Sequence, residues 1–371
     1  MQYPKLELHI AHVERIIAKS RKKFTNKKKE LIYANLLLLF NEIKNSKYSQ
    51  FNSDQLASTK DALEIVFYGV HFLHYEKESH IPKRLIFCLN KVLNDWIPNG
   101  TEKYFIVVSY NNNLDDFSIR AYGEARLKAI TENIKFLFNV DYTQSLIQIS
   151  KPKLLANDYL SSIPIYHEMG HFIEKNYQIV IRLLKEKKLE VLKIPPLHFT
   201  EFFADLFAAQ YIGRSAIAPL DESITISSAS HPSNAQRVEI VNAFIEGTGS
   251  LQCMSIINEL KRVTRLRTGL NLEIRYENLE DDENPFLKLV PVIMPSHEKL
   301  HALFNTGWQH WMNPDSIIRK KYPKYEECNK ILNGLIRNSI KLTIQQGESR
   351  KLKMVGNFIG NLADKYGIVN N

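Results

Sequence analysis

Two carboxylates stand four residues apart inside an apolar run, HFTEFFADLFAAQYIG (198–213), and no other feature limits the fold so strongly. Phe202, Phe203, Leu206 and Phe207 give this run the apolar face of a packed helix. Glu201 and Asp205 share one side of that helix, because side chains at i and i+4 lie one above the other. A buried carboxylate is costly unless a cation or hydrogen-bond donors meet it. The rest of the chain therefore has to supply partners for both acids.

Thirty residues upstream of Glu201, the stretch IPIYHEMGHFIEKNY contains HEMGH at 167–171. On a helix, His167 and His171 point to one side and can share a metal ion, at about 2.0–2.1 Å if it is zinc. Glu168 sits about 100° round the helix from His167. From there it does not join the ligand set, but it reaches a water on the metal, the position of a general base. A third ligand must come from elsewhere, with a further position open to solvent. Zinc for Glu201 and an imidazole N–H for Asp205 answer both burial problems. Asp205 would then fix the tautomer and orientation of a ligand histidine. Ligand type alone also permits manganese or cobalt.

HExxH followed about thirty residues later by Glu-x-x-Ala-Asp, here HEMGH and EFFAD, resembles the gluzincin zinc metallopeptidases. Soluble relatives of the heat-shock and prenyl-processing membrane peptidases share the pattern, as do the immunity-type anti-repressor peptidases. A third element, SHPSNAQRVE (230–239), looks like the Ser/Thr-His-Pro…Arg segment of the heat-shock and prenyl-processing group. The resemblance spans roughly residues 140 to 245. It implies a two-helix metal core beneath a small sheet, whose edge strand pairs with an extended peptide. Tyr142 to Ser150 is the expected edge strand. The long helical flanks and the lack of transmembrane helices depart from the membrane-embedded members.

A second match, HEKLH at 297–301, carries a charged Lys299 inside the motif and has no Glu-x-x-Ala-Asp after it. It follows Pro295-Ser296, a helix N-cap signal, and reads as an ordinary amphipathic helix start. Around the first motif, His198 reads as a surface histidine and Tyr211 as a core tyrosine; the sharper alternatives are that His198 supports a metal ligand or lines the mouth and that Tyr211 donates a proton to a developing oxyanion. His231 and Arg237 are candidates to stabilise a transition state or the site's carboxylates, against plainer roles as a helix cap and a surface ion pair.

The fold class expected is α+β, mostly helical. Residues 1–98 read as a helical region, with Leu8, Val13, Ile16 and Ile17 at helical spacing, a polar KKFTNKKKE stretch, and a stop at Pro98-Asn99-Gly100. Residues 99–245 form the zincin-like region. Strands are expected near 101–110, 134–140 and 142–150, where SLIQIS alternates as a half-buried strand does, with a helix near 121–133. Residues 246–371 read as helical, broken by a solvated acidic turn at Glu280-Asp281-Asp282-Glu283.

Only 14 Gly and 14 Pro in 371 residues argue for a compact chain without disordered linkers. Three scattered cysteines, Cys88, Cys253 and Cys328, suit a reducing compartment. The charged N-terminal stretch has no signal-peptide pattern, and the most apolar run, 31–40, is half the length a membrane span needs and reads as a buried helix core. The expected location is the cytoplasm. Residues 1–50 carry 11 Lys/Arg against 4 Asp/Glu, and residues 316–371 carry the same, so each end is +7 while the middle is mildly acidic. Such ends suit a weak anionic partner, whether nucleic acid, an anionic membrane surface or an acidic protein, and equally suit well-solvated helices. The expected activity is hydrolysis of a specific protein or peptide substrate, with Zn2+ as cofactor, Glu168 as general base and His231 as oxyanion donor. The alternative is a helical nucleic-acid- or partner-binding protein whose zinc site is structural or inactive; its affinity for nucleic acid would fall steeply with salt. Oligomeric state is not legible.

Overall fold

The computed structural model describes residues 3–20, 24, 27–75, 83–113, 117–143, 145–186, 194–220, 228 and 231–366. Four helices come first: α1 (Tyr3–Lys19), α2 (Lys27–Asn45), α3 (Ser53–Tyr75) and α4 (Lys83–Trp96). The buried stripe of α1 is Leu6, Ile10 and Val13, while Leu8, expected in that stripe, points outward. In α2 the buried set is Ile32, Tyr33, Leu36, Leu39, Phe40 and Ile43, which fall on one helical face at i, i+1, i+4, i+7, i+8 and i+11. The buried helix core expected for 31–40 is present, with Leu31 and Leu38 about half exposed on its outer side. Much of the KKFTNKKKE stretch lies outside the described residues, as does Ser230.

After the short helix α5 (Gly100–Lys103) come β1 (Tyr104–Asn111), β2 (Ser118–Arg120), α6 (Glu124–Phe138) and β3 (Ser145–Pro152). The sheet order is β1-β3-β2. β1 runs parallel to β3 with Tyr104 opposite Ser145. Parallel neighbours need a long crossover, and α6 lies in it. β2 runs antiparallel to β3, with Ile119 opposite Ile149. Two expectations fall here. Residues 134–138 belong to α6, whose Ile130, Ile134 and Phe138 are buried at helical spacing. The strand at 145–152 is the middle strand, not the edge, because β1 and β2 flank it. SLIQIS is accordingly buried on both faces, and even its polar Ser145 and Gln148 are inside.

Alternation along the strands divides the core in two. Ile106, Val108, Ile147 and Ile149 face one apolar cluster, together with α4 and the helices that follow β3. Val107 and Leu146 face a second cluster with α1, α2, α3 and α6. The first cluster contains α7 (Pro164–Tyr177), α8 (Ile179–Lys185) and α9 (Pro196–Ile212). Then come α10 (Asn234–Glu246), α11 (Leu251–Thr268), α12 (Pro285–Lys288), α13 (His297–Met312), α14 (Ile317–Lys321) and the long α15 (Tyr325–Tyr366). The architecture is thus mostly helical with one small three-stranded sheet. Among the described residues no helix is long and apolar enough to cross a membrane.

The turn into α7 is braced from three sides. Lys151, at the end of β3, is wholly buried, and its Nζ donates to Asp158 O at 2.9 Å and Ser162 Oγ at 2.5 Å. Burial pulls its ammonium down to about 7. From α15, Asn333 accepts the Tyr159 N–H at 2.6 Å, and from α13, Trp308 Nε1 donates to Leu160 O at 3.0 Å.

Candidate metal centre

α9 is buried almost all round, including Phe199, Phe202, Phe203 and Phe207. Each such side chain contributes about 1.5–3 kcal/mol on leaving water, so apolar burial holds this helix in the core and its acids are carried along. α7 crosses it closely. A Cβ on Gly170 would stand 2.7 Å from Ala204 Cα and 3.1 Å from Ala204 O, so the crossing demands a glycine on α7. That approach brings HEMGH over Glu201 and Asp205.

His167 Nε2 lies 3.4 Å from Glu201 Oε2, and His171 Nε2 lies 3.5 Å from Glu201 Oε1. The two imidazole rings are 4.6 Å apart and nearly perpendicular. Donors at 2.0–2.1 Å from a tetrahedral ion are separated by about 3.4 Å, so these spacings fit one cation among the three groups. The ligand atoms of His167, Glu168 and His171 also gather within 4.8 Å of one another.

The other side of His167 is committed. Its Nδ1 lies 2.8 Å from Asp205 Oδ1, and Asp205 is only 1% exposed. Arg237, on α10, grips the same carboxylate with two bonds, Nε to Oδ2 at 2.7 Å and Nη2 to Oδ1 at 2.6 Å. Arg237 Nη2 also lies 3.3 Å from His167 Nδ1, but a guanidinium only donates. The Nδ1 proton therefore goes to Asp205, which leaves the Nε2 lone pair for a metal. α10 is set in place by a capping box between Ser233 and Gln236, one residue before Arg237. The plainer expectation for Arg237, a surface ion pair, gives way to this largely buried fork.

Electrostatics follow from the geometry. Burial works to raise the Asp205 carboxyl, but the Arg237 charge and bonds and the His167 bond outweigh it and hold it at about 2. Glu201 is likewise kept below the usual carboxylate range: burial opposes, while His167, His171 and Arg237 prevail. Glu168 goes the other way, raised by burial and by the charge of Glu201 despite the nearby His167 charge and an N–H bond from Ile119. Burial pulls His167 down, yet its carboxylate partners win and raise it, whereas burial and the charge of His167 lower His171. With His167 neutral, the three carboxylates of Glu168, Glu201 and Asp205 and the Arg237 guanidinium leave two negative charges, the number a divalent cation neutralises.

His231 stands at the mouth. Its side chain is 56% exposed, with Nε2 3.8 Å from Glu201 Oε1. His198 is a correction. It is 4% exposed, no surface residue, and its Nε2 donates to Ser228 O at 2.7 Å. Ser228 in turn donates its N–H to His231 O, so His198 pins the segment that presents His231. Its position one turn before Glu201 was the available sign. Tyr211 is a core residue as expected: its hydroxyl donates to Asp95 at 3.0 Å and accepts from Trp96 Nε1 at 3.0 Å, away from the mouth.

Comparisons with models of protein families, with curated proteins and with solved structures return no match.

Proposed function

We propose that this chain is a zinc-dependent endopeptidase of the gluzincin kind, with His167, His171 and Glu201 as metal ligands. One observation carries the reading: two imidazole nitrogens and a carboxylate converge at tetrahedral spacing, while Asp205 holds the far nitrogen of His167. A zinc ion in that position supplies a Lewis acid for a carbonyl oxygen and brings the pKa of a water toward 7.

The protein's own groups do the rest. Glu168 is next to the ligands without being needed as one, and its raised pKa makes it a better proton acceptor than an exposed glutamate. It takes the proton of the attacking water and passes it to the leaving amine. His231 is the exposed donor within reach of a developing oxyanion. Arg237, spent on Asp205, fixes ligand orientation and does not touch substrate. β2 is the outer strand beside α7, and its Ile119 N–H donates to Glu168. An extended peptide adding to that edge would run past the general base, with its main chain recognised by hydrogen bonds.

The test is a comparison of wild type with Glu168→Gln by mapping new protein N-termini in the host cell, alongside the zinc content of each purified protein. Termini made only by wild type, with equal zinc in both, support the reading. Equal termini from both proteins, or zinc retained in full by Glu201→Ala, overturn it.

A further inference from the structure

A groove of about 750 Å3 runs between the loop that leaves β3 and the first half of α15, away from the metal ligands. Its floor is aliphatic: Leu154 on the loop, Leu289 and Pro291 after α12, and Ile331 on α15. Leu154 is 78% exposed and lines the groove.

The edges carry cations. Lys330 and Arg337 sit seven residues apart on α15, two turns or about 10.5 Å along the axis, and Lys153 stands opposite on the loop. None of the three pairs with a carboxylate among the described residues. The acid inside the groove is already used. Asp158 accepts the Ser161 N–H at 2.9 Å and the amides of Asn329 and Asn333 at 3.0 and 3.2 Å. Glu326 leaves one end of the groove negative.

This pattern discriminates among anions. A single phosphate gathers its cations around one point, and these are spread out. A single-stranded nucleic acid wants stacking aromatics along a basic track, and Tyr322 is the one aromatic side chain in the lining. A peptide in the polyproline-II conformation, with three residues per turn, carries carboxylates three residues apart on one side about 9 Å from each other, near the separation of Lys330 from Arg337, and turns the aliphatic side chains between them toward the floor. Asn157 and Asn338 offer amides to its main chain.

We propose that this groove docks a segment of a partner protein in which acidic residues recur at every third position with aliphatic ones between them. The inference does not depend on the chemistry at the metal centre. A bound segment would lie on Asn329 and Asn333, the same side chains that hold the turn into α7.

The experiment selects peptides from a random display library on the full chain, then measures the enriched peptides by fluorescence anisotropy against wild type, the double reversal Lys330→Glu/Arg337→Glu, and Leu154→Asp. All three positions are exposed, so circular dichroism and the thermal midpoint should match wild type in each variant. The expected result is enrichment of Asp/Glu-rich, Leu/Ile/Val-containing peptides whose affinity falls about tenfold or more on either variant and weakens with salt. The proposal is overturned if no such peptides are enriched, or if those enriched bind the variants as they bind wild type. It is also overturned if a labelled single-stranded DNA binds in a reversal-sensitive way while acidic peptides do not, which would assign the groove to nucleic acid.

Discussion

The chain contains HExxH twice, and the two copies meet opposite fates. In α7, His167 and His171 face each other across 4.6 Å and share a carboxylate from α9. In α13, the rings of His297 and His301 are 6.3 Å apart. His301 is fully buried, its Nδ1 sits 2.9 Å from the Tyr166 hydroxyl, and its Nε2 meets no polar partner among the described residues. Burial, with the nearby His297, keeps it neutral at about 3. His297 is partly exposed, 3.5 Å from Asp95 and 3.0 Å from Glu298. Lys299, inside the second motif, is drawn to Glu280 and Glu283 of the acidic turn. Spacing puts two imidazoles on one side of a helix; the opposing element decides whether that side is a ligand set or a core contact. For α7 the opposing element brings carboxylates, and for α13 it brings tyrosine rings.

The sharpest break between the two copies should appear in rate. Glu168→Gln is expected to lower peptide hydrolysis about 10²–10⁴-fold with metal content unchanged, the scale of lost general acid–base help. The matching change in the other copy, Glu298→Gln, should leave both rate and metal content as in wild type. Assaying the two variants on a substrate found by N-terminus mapping decides it. Equal losses would mean that the α13 copy also does chemistry.

A smaller effect is expected behind the ligands. Asp205→Asn leaves the largely buried Arg237 guanidinium without its partner, which costs about 3–5 kcal/mol of stability, and should weaken zinc binding about 10–100-fold. Chemical denaturation and competition with a chelator measure the two. The pH dependence has a defined sign. Asp205 is depressed to about 2 against about 3.9 when unfolded, so its contribution is complete above pH 4 and is lost as pH falls toward 2. The gap in stability between wild type and Asp205→Asn should therefore close over that window. Without a cation His167 is raised to about 9, so metal binding displaces a proton and should weaken as pH is lowered. A gap that stays constant to pH 2 would mean that Asp205 is not the group paired with Arg237.

What the sequence revealed divides along the same line. HEMGH, Glu201 and Asp205 were readable because their meaning is local: i and i+4 on a helix, and acids in an apolar run. The plain helix start of the α13 copy was readable from Lys299 and the Ser296 cap, whose side chain does accept the Lys299 N–H. What escaped depends on distant chain. The middle position of β3 follows from which strands flank it, and alternation in SLIQIS cannot report that, since Gln148 and Ser145 are polar yet buried between two cores. The three-residue β2 is too short to carry a pattern. Residues 134–138 mix β-branched and aromatic side chains, as a strand does, but pack as the end of an amphipathic helix. Lys151 gave no sign of burial, because its partners, Asp158 O and Ser162 Oγ, are defined only once the turn into α7 has formed.

The smallest effect probes how each copy's helix fits against its neighbour. Both helices have a glycine at a crossing, but what a methyl group meets differs. At Gly170 it meets Ala204 main chain at 2.7 Å, and main chain of a buried helix does not give way locally. At Gly307 it meets the methyl ends of Leu160 and Ile336 at 3.0 and 3.1 Å, which can rotate aside. Alanine gains about 0.5–1 kcal/mol of helix propensity at either place. Overpacking at Gly170 should outweigh that gain and leave a net loss of about 1–3 kcal/mol, together with weaker zinc binding, since α9 carries Glu201 away from the two imidazoles. At Gly307 the propensity gain should roughly cancel the crowding, leaving stability within about 1 kcal/mol of wild type and zinc affinity unchanged. Denaturation midpoints and chelator competition on the two alanine variants read both quantities. If Gly307→Ala lowered zinc affinity as much as Gly170→Ala, the spacing of α7 and α9 would not be what sets the ligand geometry.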